Sequence, residues 1–304
     1  MRLPALALVA LAAAVAAAGC GDPEGEDGAG SGELATVATT TVVGDLLRSV
    51  GRDRIHLDTL VPADADPHGH EPRPSDAVAI ADAEVVVKSG GDLDEWLDDL
   101  IESAGGDAAE VTLLGSVDAI GEDPHWWQDP RNAVLAAEAI RDALAEADPD
   151  NRRVYRSNTV AYIRELRALD EEIERCIQRV PPEKRKLVTT HDSLAYFAER
   201  YDVEVIGSVI PSLSTQAQPS AQDVDALVAQ IEDEGVKAIF PEAAVSQRLE
   251  RAISRESGAE VGRELWTDSL GGGGSGAETY VDAMRANADA LAEGMSGGRV
   301  SCRG

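Results

Sequence analysis

Five histidines serve a chain of 304 residues, and two of them repeat one tripeptide, Asp66-Pro67-His68 and Asp123-Pro124-His125. Proline fixes its own φ and drives the residue before it toward an extended conformation, so each tripeptide reads as a rigid loop presenting an imidazole. A third histidine, His191, follows Thr189-Thr190 at a predicted strand-to-helix turn. Asp268 stands in Leu265-Trp266-Thr267-Asp268-Ser269-Leu270, which reads as a strand end before the glycines 271–274. Taken singly, either residue reads as a cap or a loop residue. Together with the two loop imidazoles they make three nitrogens and one carboxylate, a set that zinc accepts in tetrahedral geometry. Four protein ligands leave no open position for a water nucleophile, and the chain has no His-Glu-x-x-His helix, so the set favours holding an ion over hydrolysis. His70, in Asp66-Pro67-His68-Gly69-His70-Glu71-Pro72, could replace His68 or donate as well. His56, between Ile55 and Leu57, reads as a structural strand residue outside any site.

The elements that must position these groups follow from periodicity. Hydrophobic residues are 43% of the chain and aromatics only 4%, so the core is to be built from Ala, Val, Leu and Ile. Residues 34–41 read as a strand, 42–50 as a helix and 55–62 as an alternating strand that delivers the first loop. A helix capped by Ser75, a strand over 84–91, a helix over 92–104, a strand over 111–114 and a helix over 133–147 follow. The longest helical pattern, about 151–180, lies between Asp148-Pro149-Asp150 and Pro181-Pro182; at thirty residues it would span about 45 Å. On either side of it the sequence echoes itself. Val37-Ala38-Thr39-Thr40 matches Leu187-Val188-Thr189-Thr190, Val61-Pro62 matches Ile210-Pro211, and residues 83–90 match 235–242. Three matches in order indicate duplication. The expected fold class is therefore α/β, with two similar lobes, each a mainly parallel sheet flanked by helices, joined by one long helix. The corresponding domains are 34–148, 149–181 for the linking helix, and 182–304. Parallel strand ends open onto a common edge, which places a ligand between the lobes.

A net charge of -29 argues against nucleic acid or an anionic membrane surface as partner. Residues 1–19 carry Arg2, then an uncharged apolar run, then Ala17-Ala18-Gly19 before Cys20. This reads as an export signal. Small residues directly before a cysteine resemble a bacterial lipobox, with Cys20 lipidated as the mature N-terminus, although the usual leucine is Ala17 here; an ordinary signal-peptidase cut is the alternative. Residues 20–33, Gly-rich and acidic, read as a disordered tether. Export would leave Cys176 and Cys302 as a pair in an oxidising setting, either joined or as two free thiols.

These four motifs in order resemble the zinc and manganese solute-binding lipoproteins of ABC importers, the cluster 9 family, over about residues 34–296. The resemblance implies His68, His125, His191 and Asp268 as metal ligands, with His70 where a neighbouring non-ligand usually lies. It implies two α/β lobes on a rigid helix, and an extracytoplasmic receptor, not an enzyme. Such a receptor would capture Zn²⁺, or alternatively Mn²⁺, between its lobes and deliver it to an ABC permease, acting as a monomer anchored by lipid on the outer face of the cytoplasmic membrane. Zinc-specific members often carry a long histidine-rich loop before the second ligand, whereas residues 115–122 are short and lack histidine. Manganese members more often have glutamate in the third place, so His191 favours zinc. The rival reading from another class is an envelope zinc-dependent hydrolase. A surface adhesin, a label the family has carried, has no direct support in the residues.

Overall fold

The computed structural model describes residues 32–302. The expected export signal, Cys20 and the tether up to residue 31 lie outside the described residues. Strand β1 (Leu34–Ala38) is apolar and almost wholly buried because it lies inside its sheet, paired in parallel with β2 (Ile55–Thr59) on one side and β3 (Val85–Lys88) on the other. β4 (Ala109–Thr112) extends the sheet beyond β3, giving the order β2-β1-β3-β4. Helix α1 (Thr41–Gly51) starts where the Thr40 hydroxyl accepts from the Val43 N–H, and it buries Val42, Val43, Leu46, Leu47 and Val50 on one face. α2 (Pro74–Asp82), α3 (Trp96–Ala104) and α4 (Pro130–Ala147) complete the first lobe.

The second lobe repeats this plan. β5 (Lys186–His191), β6 (Glu204–Ile210), β7 (Ala238–Phe240) and β8 (Glu260–Val261) pair in parallel in the order β6-β5-β7-β8, the topology of the first sheet. Between them runs α5 (Arg152–Ile177), 26 residues and therefore about 39 Å long. It is no free spacer. Leu166, Leu169 and Ile173 belong to one apolar core that also holds Leu46 and Leu47 of the first lobe and Leu291 and Met295 of α9 (Tyr280–Ser296). The remaining helices, α6 (Ala195–Tyr201), α7 (Ala221–Glu234) and α8 (Arg248–Ser257), cover the second sheet. In both sheets strand order reverses beside the first strand, so the loops leaving neighbouring strand ends part there and open a crevice. Among the described residues no helix is long and apolar enough to cross a membrane.

Several local expectations are corrected. α2 begins at Pro74 with Arg73, not Ser75, as the capping residue, because the Asp76 carboxylate accepts from the Arg73 N–H. α3 starts only at Trp96, after a short 3-10 turn; Asp94 spends its carboxylate on the Ser89 and Gly90 N–H groups instead of on a helix. The fourth strand is 109–112, and Leu113 already enters a 3-10 turn. Asp268 lies in irregular backbone, beyond an isolated bridge between Glu242 and Leu265, not at a strand end. His56 does lie in β2, but its side chain is 66% exposed and near the carboxylates of Glu33 and Asp58, not packed in the core.

Cys176 and Cys302 form a disulfide with Cα atoms 5.3 Å apart. It ties the last turn of α5 to the chain beyond α9, beside a hydrogen bond from Arg179 to the Ser301 carbonyl. The bridge closes a span of 126 residues, long enough to restrict the unfolded chain substantially. Cys302→Ser should therefore destabilise the protein by about 3 kcal/mol and lower Tm by roughly 5–10 °C, read by calorimetry under non-reducing conditions.

Candidate metal centre

The repeated tripeptide is a small mechanical unit. In the first copy the Asp66 carboxylate accepts from the His68 N–H at 3.0 Å and caps the single 3-10 turn Pro67–Gly69. In the second, Asp123 accepts from the His125 N–H at 2.9 Å. Aspartate folds the turn, proline stiffens it, and histidine is left pointing out. Asp123 does one thing more: the same oxygen lies 2.7 Å from His125 Nδ1. That fixes a proton on Nδ1 and leaves Nε2 as the free donor atom.

His191 is the last residue of β5, at the crevice between β5 and β7. Glu242, two residues past β7, places both carboxylate oxygens 2.8 Å from its Nδ1 and accepts from its backbone N–H. The Nε2 of His191 is again the atom turned inward. Asp268 arrives from the second lobe on a loop whose Thr267 carbonyl accepts from Trp127 and Gln128 of the first.

These four side chains converge. His125 Nε2 and His191 Nε2 are 3.2 Å apart, and Asp268 oxygens lie 3.4 Å from His191 Nε2, 3.5 Å from His125 Nε2 and 3.7 Å from His68 Nε2. One donor atom from each residue lies within 4.8 Å of all the others. Ligands at zinc's bond lengths would be separated by about 3.3 Å in a tetrahedron. The His68 side chain is 1% exposed, yet neither its Nε2 nor Asp268 Oδ1 has a hydrogen-bond partner. Buried polar atoms without partners are costly, and here they face one point.

The electrostatics reflect that crowding. Burial, reinforced by His125 and His191, pulls the His68 ring down to about 3, so it is neutral. Burial pulls His191 down as well, but the carboxylates of Asp268 and Glu242 prevail and raise it to about 9. Burial pushes Asp268 up to about 6 against the pull of His191 and His125.

All four expected ligands thus meet, and the other two histidines do not join them. His70 turns away, its Nε2 3.4 Å from Asp76 and its ring against Trp96. His56 is on the outer strand. Sequence reasoning missed Glu242 and Asp123 as supports. A signal for Glu242 was present: an apolar strand followed by Pro241-Glu242 repeats the first-half pattern, and in the fold it pairs beside the strand that ends in His191. Tyr196 was also missed; its hydroxyl donates to the Asp123 carbonyl and accepts from the Ile120 N–H, bracing the His125 loop from the other lobe.

The family model described as ZnuA, zinc-uptake complex component A, periplasmic, matches residues 36–294. A manganese-binding lipoprotein, MntA, of Halalkalibacterium halodurans is 34% identical over 277 residues, covering 89% of this chain and 90% of that protein. The manganese ABC transporter substrate-binding lipoprotein PsaA of Streptococcus pneumoniae is 27% identical over 281 residues, 88% of this chain and 90% of that one. Among solved structures, the periplasmic zinc-binding protein TroA from Treponema pallidum superposes with a TM-score of 0.82 at 25% identity, covering 87% of this chain and 100% of that one.

Two outcomes follow from the geometry. Glu242→Gln keeps the shape but removes the charge that orients His191, and should weaken divalent-metal affinity about 10- to 100-fold in chelator competition. The ion-free centre near neutral pH holds a proton on His191 while Asp268 is ionised. An arriving ion must displace that proton, so affinity rises with pH. The expected slope is about tenfold per pH unit between roughly pH 6 and 9, flattening above and steepening below, where Asp268 also protonates. Chelator-buffered titrations across that range read it.

Proposed function

We infer the function of this chain from its family: it belongs to the zinc-uptake complex component A family, solute-binding receptors of ABC importers and not enzymes. It is a metal-binding substrate-binding protein. We read His68, His125, His191 and Asp268 as the ligands of its cargo, and Zn²⁺ as the ion. The observation that carries this is the convergence of four buried donor atoms within 4.8 Å, two of them without hydrogen-bond partners. Three imidazoles and one carboxylate suit zinc, which takes nitrogen donors more readily than manganese does. The second reading, a manganese receptor, is favoured by the names of relatives such as the Halalkalibacterium halodurans protein.

On this reading the chain's own groups divide the work. Asp123 and Glu242 hold two rings with Nε2 inward, Asp268 supplies negative charge, and His68 closes the set from the first lobe. The crevice between lobes 34–148 and 182–304, on the linking segment 149–181, would carry the ion to the permease of an ABC transporter. Residues 1–19 would be an export signal and Cys20, at the end of a tether, a lipid anchor on the outer face of the cytoplasmic membrane; the receptor would act as a monomer.

Calorimetric titration with Zn²⁺ and Mn²⁺ tests the ligand set and the ion together. His68→Ala, His125→Ala and His191→Ala should each weaken Zn²⁺ binding by at least about 100-fold, because a preformed loop regains no entropy when it loses its metal bond. Asp268→Ala should lose less, since water can take the carboxylate's place, and His56→Ala and His70→Ala should match the parent. Parental affinity in all four ligand variants would move the site elsewhere. Tighter binding of Mn²⁺ than of Zn²⁺ would select the second reading.

A further inference from the structure

The two Asp-Pro-His turns are held to the second lobe in different ways. The His125 loop is braced by large buried groups: the Tyr196 hydroxyl on Asp123 and Ile120, Trp127 and Gln128 on the Thr267 carbonyl, and the Tyr280 hydroxyl on the Trp127 carbonyl. The His68 turn is tied upstream, where Asp64 pairs with Leu270 and Gly272. Its own tie to the second lobe is made by side chains of an irregular loop. Residues 211–220, between β6 and α7, contain no helix or strand. From this loop Thr215 Oγ1 donates to Asp66 Oδ2 at 2.6 Å and Gln216 Nε2 to the same oxygen at 3.3 Å. The other oxygen of Asp66 is the one that accepts from the His68 N–H. One carboxylate is therefore shared between the ligand turn and the opposite lobe. Gln216 also lies over Gly69, where a Cβ would come 2.9 Å from its Nε2, so the loop covers the turn directly. Thr215 is itself buried.

We propose that Thr215 and Gln216 are positioning residues that latch Asp66, hold the His68 turn over the bound ion and set how long it stays. The proposal rests on the receptor reading above. A hydroxyl and an amide donate to one carboxylate oxygen, and both bonds exist only when the two loops meet. They therefore act on release far more than on capture, since an ion arriving at an open crevice has not yet gained them.

The test uses the full mature protein loaded with one equivalent of Zn²⁺ and mixed with excess chelator in a stopped-flow instrument. Thr215→Val, which removes the hydroxyl and keeps the shape, should speed release about tenfold, and Thr215→Val with Gln216→Ala should speed it further. Thr215→Ser should return the rate to within about twofold of the parent, and the capture rate should change by no more than about twofold in every variant. Thermal unfolding of the ion-free proteins checks that the fold is intact. Release from the double variant at the parent's rate would overturn the proposal, as would Thr215→Ser releasing as fast as Thr215→Val. A parent chain that holds no Zn²⁺ would overturn the reading of Zn²⁺ as the ion, and the latch as stated for that ion.

Discussion

Three imidazole nitrogens and a carboxylate oxygen are held within 4.8 Å of one another in a place almost closed to water. Without an ion this is an unfavourable arrangement. His68 is forced neutral, Asp268 is pushed toward protonation, and two polar atoms go without partners. Left to relax, such groups would turn and hydrogen-bond elsewhere. The rest of the structure prevents that turn.

The restraint is built from two kinds of parts. Locally, Asp123 and Glu242 occupy the outer nitrogens of His125 and His191, so that neither ring can rotate without stranding a buried carboxylate. Glu242 is in turn held by the Thr190 hydroxyl, which accepts from its N–H and donates to the buried Glu250. At longer range, α5 and α9 give the two lobes a common apolar core. A centre shared between two sheets needs that continuity, because a shift of an ångström at the lobe boundary would move Asp268 away from the rings it faces.

Much of this was legible in the sequence, for identifiable reasons. The echo of residues 83–90 in 235–242 predicts equal topology, and the two sheets do share one strand order. His68, His125 and His191 could be singled out because histidine is rare here and proline or a strand end fixes its setting. What escaped was whatever depends on distant partners. Asp94 delays the start of a predicted helix by accepting from the Ser89 and Gly90 N–H groups behind it, and only the fold shows that its carboxylate is spent there. Glu242 is one of 56 acidic residues, and although the strand before it echoes the first half, its role shows only when β7 is set beside β5. His56 shows the converse: apolar neighbours suggested packing, but alternation in an outer strand turns every second side chain to solvent.

The repeated tripeptide also shows why equal sequence need not mean equal mechanics. Both aspartates cap their own turn with one oxygen, a local consequence of Asp-Pro-His that either copy would adopt alone. Beyond that they diverge with their surroundings. Asp123 is enclosed, so it turns to its own imidazole, and the turn it caps is fixed by Tyr196, Trp127 and Tyr280. Asp66 is at the rim, where its second oxygen meets Thr215 and Gln216 of the other lobe. Duplication of a motif within one lobe thus yields one turn that is part of the scaffold and one that is secured across the crevice. A receptor must both hold its ion and give it up. An even distribution of rigidity would serve the first need only, and the unequal use of the two aspartates is the difference through which the proposed latch would act.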